Sequence, residues 1–316
     1  MIPHDILVLT SRQYSNSGYA SEFRQVLLIS ILIVNYRSYA EIQQCLGSLQ
    51  RFLADDLEVY VVDHESDPTR AASLARKFPW VGLIAAADNP GFAGGVNRGA
   101  RIARGSYLLL LNPDCIVEGD VAHSLATWMD ANPRVGVCGV QVREADGLLQ
   151  ASARRFPDVT TGFAGRTSWL RRMWPGNPLT ARNLTTPSTP GEPVRVDWVS
   201  GACMMVRRAA FDDVGGMDER FFLYWEDADL CQRLSKKGWT TVYNATVSVT
   251  HLTSRSSARA PVRSLVAFHQ SAFRYFLKHS GRAARLAAPI VYLALNVRLL
   301  FKLFLLISIG RATRPD

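Results

Sequence analysis

The stretch that decides the fold is Leu27-Leu28-Ile29-Ser30-Ile31-Leu32-Ile33-Val34-Asn35. It is a nearly continuous apolar run ended by a polar residue, as expected of a strand buried on both faces in a sheet covered by helices. The pattern repeats outward from it. Residues 39–52 place Ile42, Cys45, Leu46 and Leu49 on one helical face. Residues 57–63 form a second apolar strand, 69–78 a second helix and 81–86 a third strand; 93–103 are helical and 107–111 are a fourth strand. This alternation predicts an α/β fold with a mostly parallel central sheet flanked by helices. Ligands of such sheets sit at the carboxyl ends of the strands. Asn35, Asp63, the Asp88-Asn89 pair, and Asn112 with Asp114 all fall there. Turns favour Asn and Asp in their own right.

The chain has 316 residues, 48% of them hydrophobic and 20% charged, enough for one large domain or two small ones. Its net charge of +9 implies an acidic partner: a nucleotide, a phosphorylated lipid, an anionic membrane face or nucleic acid. The basic residues cluster with apolar ones near the C-terminus and no nucleic-acid reading motif appears, which argues against the last. Cys45, Cys115, Cys138, Cys203 and Cys231 lack CxxC spacing, so neither a zinc site nor a disulfide framework is expected and a reducing compartment is. The apolar run at 26–34 is too short to span a bilayer and has no small-residue cleavage site after it.

Further along, Gly215-Gly216-Met217-Asp218-Glu219-Arg220-Phe221-Phe222-Leu223-Tyr224-Trp225-Glu226-Asp227-Ala228-Asp229-Leu230 sets three carboxylates at the end of an aromatic run. Charge is expensive beside so much apolar surface, so Glu226, Asp227 and Asp229 are expected to be bound or used. A capped surface helix is the alternative, because helix N-termini favour acids. Asn89-Pro90-Gly91-Phe92-Ala93-Gly94-Gly95-Val96-Asn97-Arg98-Gly99 follows a strand and opens a helix. Its glycines permit close approach of backbone amides to phosphate. It is neither GxGxxG nor a GxxxxGK[ST] loop. A tight turn with close helix packing explains it equally well. Asp114, just past a buried strand, offers the oxygen that hard divalent cations prefer and can bridge to diphosphate.

On Val61-Val62-Asp63, the glycine stretch 89–97, Leu111-Asn112-Pro113-Asp114, Trp198-Val199-Ser200-Gly201-Ala202 and Tyr224-Trp225-Glu226-Asp227-Ala228-Asp229-Leu230, in this order, the chain resembles an inverting family 2 glycosyltransferase. The resemblance is to the bacterial rhamnosyltransferase-like branch, of GT-A fold, and covers about residues 28–255. It implies a nucleotide-sugar donor held by Asn35, Asp63, Asn89, Gly91, Gly94, Gly95, Asn97, Asn112 and Asp114. Asp63 would meet the nucleobase or ribose. Mg²⁺ or Mn²⁺ would rest on Asp114 and His251. Asp227 would be the catalytic base, with Glu226 beside it. Trp198, Gly201, Ala202, Trp225 and Asp229 would line the acceptor or sugar pocket. Two departures stand out. Asp63-His64-Glu65-Ser66 replaces the usual Asp-Asn-x-Ser, and Asn112 replaces the first acid of the metal motif.

The resemblance further implies transfer of L-rhamnose from dTDP-L-rhamnose to a cell-envelope glycan or polyprenyl-diphosphate-linked saccharide, at the cytoplasmic face of the plasma membrane. UDP-galactofuranose, UDP-galactose or UDP-N-acetylglucosamine are the alternative donors, and an inactive sugar-nucleotide scaffold is the non-enzymatic alternative. A homo-oligomer is compatible with the sequence. The domain plan is an extension at 1–25, a GT-A domain at 26–257 with a proline-rich variable loop at 157–193, and a basic, apolar helical segment at 258–316. Within that segment, 286–309 is strongly apolar but interrupted by Pro289, Asn296, Arg298 and Lys302. A spanning helix seldom holds charges near its middle, so an interfacial anchor at an anionic membrane surface is expected. A helix buried against the main domain or a dimer partner is the alternative.

Overall fold

The structure, a computed structural model, describes residues 6–9, 29–157, 191–252 and 261–312. Most of the proline-rich loop lies outside the described residues. The first half is the expected alternation: β2 (Ile29–Tyr36), α1 (Tyr39–Leu49), β3 (Leu57–His64), α2 (Pro68–Lys77), β4 (Val81–Ala86), α3 (Gly91–Ile102) and β5 (Tyr107–Leu111). Strands β4, β3, β2 and β5 lie side by side and parallel. β2 shows why the opening run carries no alternation. Ile29, Ile31 and Ile33 enter one core, with Ile42 and Leu46 of α1. Leu32 and Val34 enter the other, with Val96 of α3. Both faces are covered, so both must be apolar.

A short strand β1 (Ile6–Leu9) pairs antiparallel with β4, so part of the expected extension is an edge of the sheet. Beyond β5 the sheet is mixed, so the mostly parallel expectation is approximate. There follow β6 (Cys115–Val117), α4 (Val121–Asp130), β7 (Val135–Glu144), β8 (Ala153–Arg154), β9 (Val194–Val196), β10 (Trp198–Val199), β11 (Cys203–Arg207), α5 (Arg208–Asp213), α6 (Glu226–Lys236) and β12 (Thr240–His251). The order is β1-β4-β3-β2-β5-β11-β7-β12-β6, with β9 on β12. β11 runs antiparallel to both β5 and β7 and thereby joins the two halves. β7 and β12 pair parallel, while β6 and β9 pair antiparallel with β12. Residues 194–207 are three short strands: β9 pairs with β12, β10 with β8, and β11 lies between β5 and β7.

The C-terminal segment is α7 (Pro261–His279), the single turn α8 (Arg282–Arg285) and α9 (Ala288–Ala312). α7 packs on the main domain. Ser271 Oγ donates to the Leu223 carbonyl at 3.0 Å, and the Tyr275 hydroxyl donates to Gln232. α9 packs on α7, with the Phe273 and Tyr292 rings 5.2 Å apart. It runs unbroken past Asn296, Arg298 and Lys302; Pro289 falls in its first turn, where a missing N–H costs nothing. Residues 288–308 of α9 are long and apolar enough to cross a membrane.

Candidate active site

The acid motif is presented by strained backbone. Tyr224 and Trp225 have φ of 67° and 72°, a region disfavoured for bulky side chains, and they turn the chain into α6. Glu226 is 6% exposed and its Oε2 has no partner among the described residues. Asp227 is half-buried, and its carboxylate accepts the Gly201 N–H at 3.1 Å and the Ala228 N–H at 2.8 Å. Burial pushes both carboxyls up, and the Asp227 charge adds to the rise at Glu226, which reaches about 8. The N–H donors favour the charged form of Asp227. Within the pair the proton is therefore favoured on Glu226 and the negative charge on Asp227. Arg154 contributes a further positive field at Asp227.

The Gly201-Ala202 dipeptide links this acid to the other candidate centre. Gly201 donates to Asp227, and the Ala202 carbonyl accepts the Asn112 N–H at 2.9 Å and the Cys115 thiol at 3.3 Å. Asp114 sits in that same turn, 1% exposed. Its Oδ1 lies 3.0 Å from Nε2 of His251, the last residue of β12, and its Oδ2 is buried without a partner among the described residues. Ligand atoms of Asp114, Cys115 and His251 all lie within 4.8 Å of one another. Burial drives the Cys115 thiol well up, so it stays protonated and a weak ligand. A carboxylate with an orphaned oxygen beside an imidazole fits a divalent ion.

The glycine stretch serves mainly to hold the acid loop. Gly91 has φ of 83°, and a Cβ there would lie 2.0 Å from the Phe222 carbonyl oxygen, which also accepts the Phe92 N–H at 3.0 Å. Asn89 Oδ1 accepts the Gly91 N–H. A Cβ on Gly94 would meet Pro90, and one on Gly95 would meet Val34 and His64. Asn97 bonds the Met217 backbone on both sides, N–H to its Oδ1 and carbonyl from its Nδ2, at 2.9 Å each. The tight-packing alternative thus accounts for these positions without a ligand. Asp63 is fully buried. It accepts Asn35 Nδ2, the Tyr39 hydroxyl and Ser66 Oγ, all at 2.6 Å, so both of its oxygens are engaged.

Asp229, expected in the acceptor pocket, is instead 0% exposed, enclosed by two cations and an imidazole. Arg233 lies at 2.7 Å, Lys278 at 2.6 Å and His279 at 2.7 Å. Burial alone would raise its carboxyl, and these partners outweigh that and lower it. Asp229 is the hub that docks α7 on α6. Trp225 packs on Tyr275 and Phe268, with ring centroids 5.2 and 5.7 Å away, and its Nε1 is buried without a partner among the described residues. Trp198 lies under the Arg154 guanidinium and donates Nε1 to the Arg155 carbonyl. Sequence reasoning missed Tyr39, Ser66, Gln150, Arg154 and the whole α7 wall. Only α7 left a signal: Phe268, Ser271 and Tyr275 recur at helical spacing.

The chain is similar in sequence and fold to known proteins. Residues 30–215 match the glycosyl transferase family 2 profile, and 186–254 match the N-terminal domain of galactosyltransferase. The chain is 31% identical to the N-acetylglucosaminyl-diphospho-decaprenol L-rhamnosyltransferase of Mycobacterium tuberculosis, over 80% of this chain and 86% of that one. A mannosyltransferase from Pyrobaculum calidifontis, solved with GDP-Man and Mn²⁺, superposes with a TM-score of 0.53 at 16% identity, covering 90% of this chain and 79% of that one. A structure of a GalNAc transferase with UDP, GalNAc and Mn²⁺ superposes at 0.52 with 14% identity, covering 72% of this chain and 44% of that one, so this chain spans less than half of it. The chain belongs to glycosyltransferase family 2, in its rhamnosyltransferase-like branch, and has the GT-A fold.

Proposed function

We propose that the protein transfers L-rhamnose from dTDP-L-rhamnose, with inversion, to a hydroxyl of a saccharide carried on a polyprenyl diphosphate, at the cytoplasmic face of the plasma membrane. The observation that carries this reading is the convergence of Asp227 and the Asp114–His251 pair on one dipeptide, Gly201-Ala202. The 31% identity with a rhamnosyltransferase whose name states a diphospho-decaprenol acceptor supports the sugar and the acceptor class.

The residues divide the work. Asp227, whose charged form is favoured by two backbone N–H groups, takes the proton of the acceptor hydroxyl as that oxygen attacks the anomeric carbon. Glu226, protonated beside it, keeps a second negative charge away from the base. Asp114 and His251 would hold a divalent ion, which offsets the charge developing on the leaving diphosphate when bound. Gln150 Oε1 lies 3.3 Å from His251 Nδ1; a proton there leaves the Nε2 lone pair toward Asp114.

The test is transfer by purified protein in Mn²⁺ with a panel of sugar nucleotides and a GlcNAc-diphospho-polyprenol acceptor, with product anomers assigned by NMR. Inverted rhamnosyl product from dTDP-L-rhamnose is the expected result. Turnover confined to UDP-galactofuranose, UDP-galactose or UDP-N-acetylglucosamine would replace the donor assignment, and a retained anomer would overturn the single displacement.

A further inference from the structure

Nearly all of the net charge sits at the end of the chain. Residues 261–316 hold nine Lys and Arg against one acid, Asp316, which is +8 of the total +9. α9 sorts its residues by chemistry. Leu295, Arg298, Leu299, Lys302 and Leu306 are half-buried and recur at three- and four-residue steps, so they form one stripe, and the packing of α9 on α7 accounts for its cover. Leu293, Leu300, Phe301, Phe304 and Ile307 are each more than half exposed and form an apolar outer surface. The two cations thus lie on the protein side of a helix whose other side suits lipid. Ionisable residues so placed in apolar helices face the protein interior and mark functional sites.

What they face lies close to the acid loop. The Arg298 guanidinium is 5.9 Å from the Phe268 ring centroid, and the same ring is 5.7 Å from both Tyr224 and Trp225. One aromatic ring therefore separates Arg298 from the residues that lead into Glu226 and Asp227. His269, next to Phe268, is 4% exposed. Its Nδ1 lies 2.8 Å from the Leu265 carbonyl oxygen and so carries the proton, while its Nε2 is buried without a partner among the described residues. Arg298 and Lys302 both act on this imidazole electrostatically. Burial and these cations hold the ring below its ordinary value; an anion arriving there would meet both cations and, by offsetting their charge, let the ring take a second proton and donate it.

We propose that Arg298, Lys302 and His269 form the subsite for the diphosphate of the lipid-linked acceptor, with the outer apolar face of α9 in the bilayer that holds the polyprenyl chain. This rests on the acceptor class proposed above. Such an acceptor presents an apolar tail, then a diphosphate, then a saccharide. The protein presents an apolar helix face, then the cationic stripe, then the aromatic loop of Asp227, in the same order. The donor diphosphate has its own place at Asp114 and His251, so the two diphosphates do not compete.

The experiment is calorimetric binding of geranylgeranyl diphosphate in detergent micelles to the full chain and to Arg298→Gln/Lys302→Gln, with geranylgeraniol, inorganic pyrophosphate and phosphatidylglycerol vesicles as comparisons. Wild type should bind the prenyl diphosphate and the double variant at least tenfold more weakly. Arg298→Lys/Lys302→Arg should restore binding, and dTDP affinity should be unchanged throughout, which also reports that the variants fold; Lys302→Gln alone serves if the double variant does not. Equal binding by wild type and variant overturns the proposal. So does an equal loss toward phosphatidylglycerol, which would assign the cations to anionic headgroups. Binding is read without donor or transfer. Expected binding by a protein that transfers no rhamnose would therefore refute the function and leave the subsite standing.

Discussion

Asp114 Oδ1 and His251 Nε2 lie 3.0 Å apart although 137 residues separate them in sequence. Antiparallel pairing of β12 with β6 sets His251 opposite Cys115, and the Leu252 N–H donates to the Asp114 carbonyl at 2.8 Å. Backbone on both strands therefore fixes the pair before any ligand arrives.

From this arrangement, Asp114→Ala and His251→Ala should each weaken sugar-nucleotide binding in Mn²⁺ by at least about tenfold, roughly 1.4 kcal/mol. In EDTA the variants and the wild type should bind alike. Titration calorimetry of dialysed protein checks both halves. Full activity in EDTA would refute a metal role for the pair.

Asp227→Asn should separate binding from chemistry. The amide preserves the shape but cannot take the acceptor proton, and a general base is worth typically ~10²–10⁴-fold. Donor affinity should change little while turnover falls by that range. Turnover within threefold of wild type would show that the base is elsewhere.

Glu226 makes a prediction about pH. Its folded value of about 8 stands above its ordinary 4.5, raised by burial and then by Asp227. The folded protein holds a proton there that the unfolded chain releases, so this group's contribution to stability falls as pH rises from about 4.5 to about 8 and levels off beyond. The slope is up to about 1.4 kcal/mol per pH unit. Glu226→Gln removes this loss, though not the one from Asp227, which has the same sign. The variant should therefore gain on wild type in melting temperature between pH 5 and pH 8.5. A difference that stays constant with pH would mean that Glu226 is ionised in the fold.

The parallel half of the sheet was legible because burial on both faces leaves a continuous apolar run, as in β2. β7 and the split of 194–206 into β9, β10 and β11 were not. Gly136 and Gly139 in β7 lack side chains because Trp239 and Val199 occupy that space, a tertiary requirement that local pattern does not reveal. The acid motif was legible as charge beside aromatics, yet its three carboxylates have different surroundings. Asp227 faces backbone donors, Glu226 faces none on Oε2, and Asp229 is surrounded by Arg233, Lys278 and the His279 ring, the last two coming from α7 about fifty residues later. Likewise Gly91 reads as a phosphate cradle in sequence, and only the Phe222 carbonyl shows what the missing Cβ makes room for.

Truncation after Gly281 gives the last prediction. The cut spares α7, whose Lys278 and His279 hold Asp229, and whose Tyr275 packs on Trp225, so the folded domain and its acid loop should survive. It removes α8 and α9 with their exposed apolar side chains, among them Leu293, Leu300 and Phe304. It also removes Arg282, Arg285, Arg298, Lys302, Arg311 and Arg314. Each basic residue near an anionic leaflet contributes about 1 kcal/mol, screened beyond a Debye length. Full-length protein should float with anionic liposomes and lose only part of that binding at high salt, because apolar burial is not screened. The truncated protein should stay at the bottom of the gradient, hydrolyse free donor at close to the full-length rate, and lose far more transfer to a lipid-linked acceptor than to a soluble analogue. If both forms float equally, α9 is not the membrane contact, and its apolar face is more simply explained as the seat of a second copy of the chain.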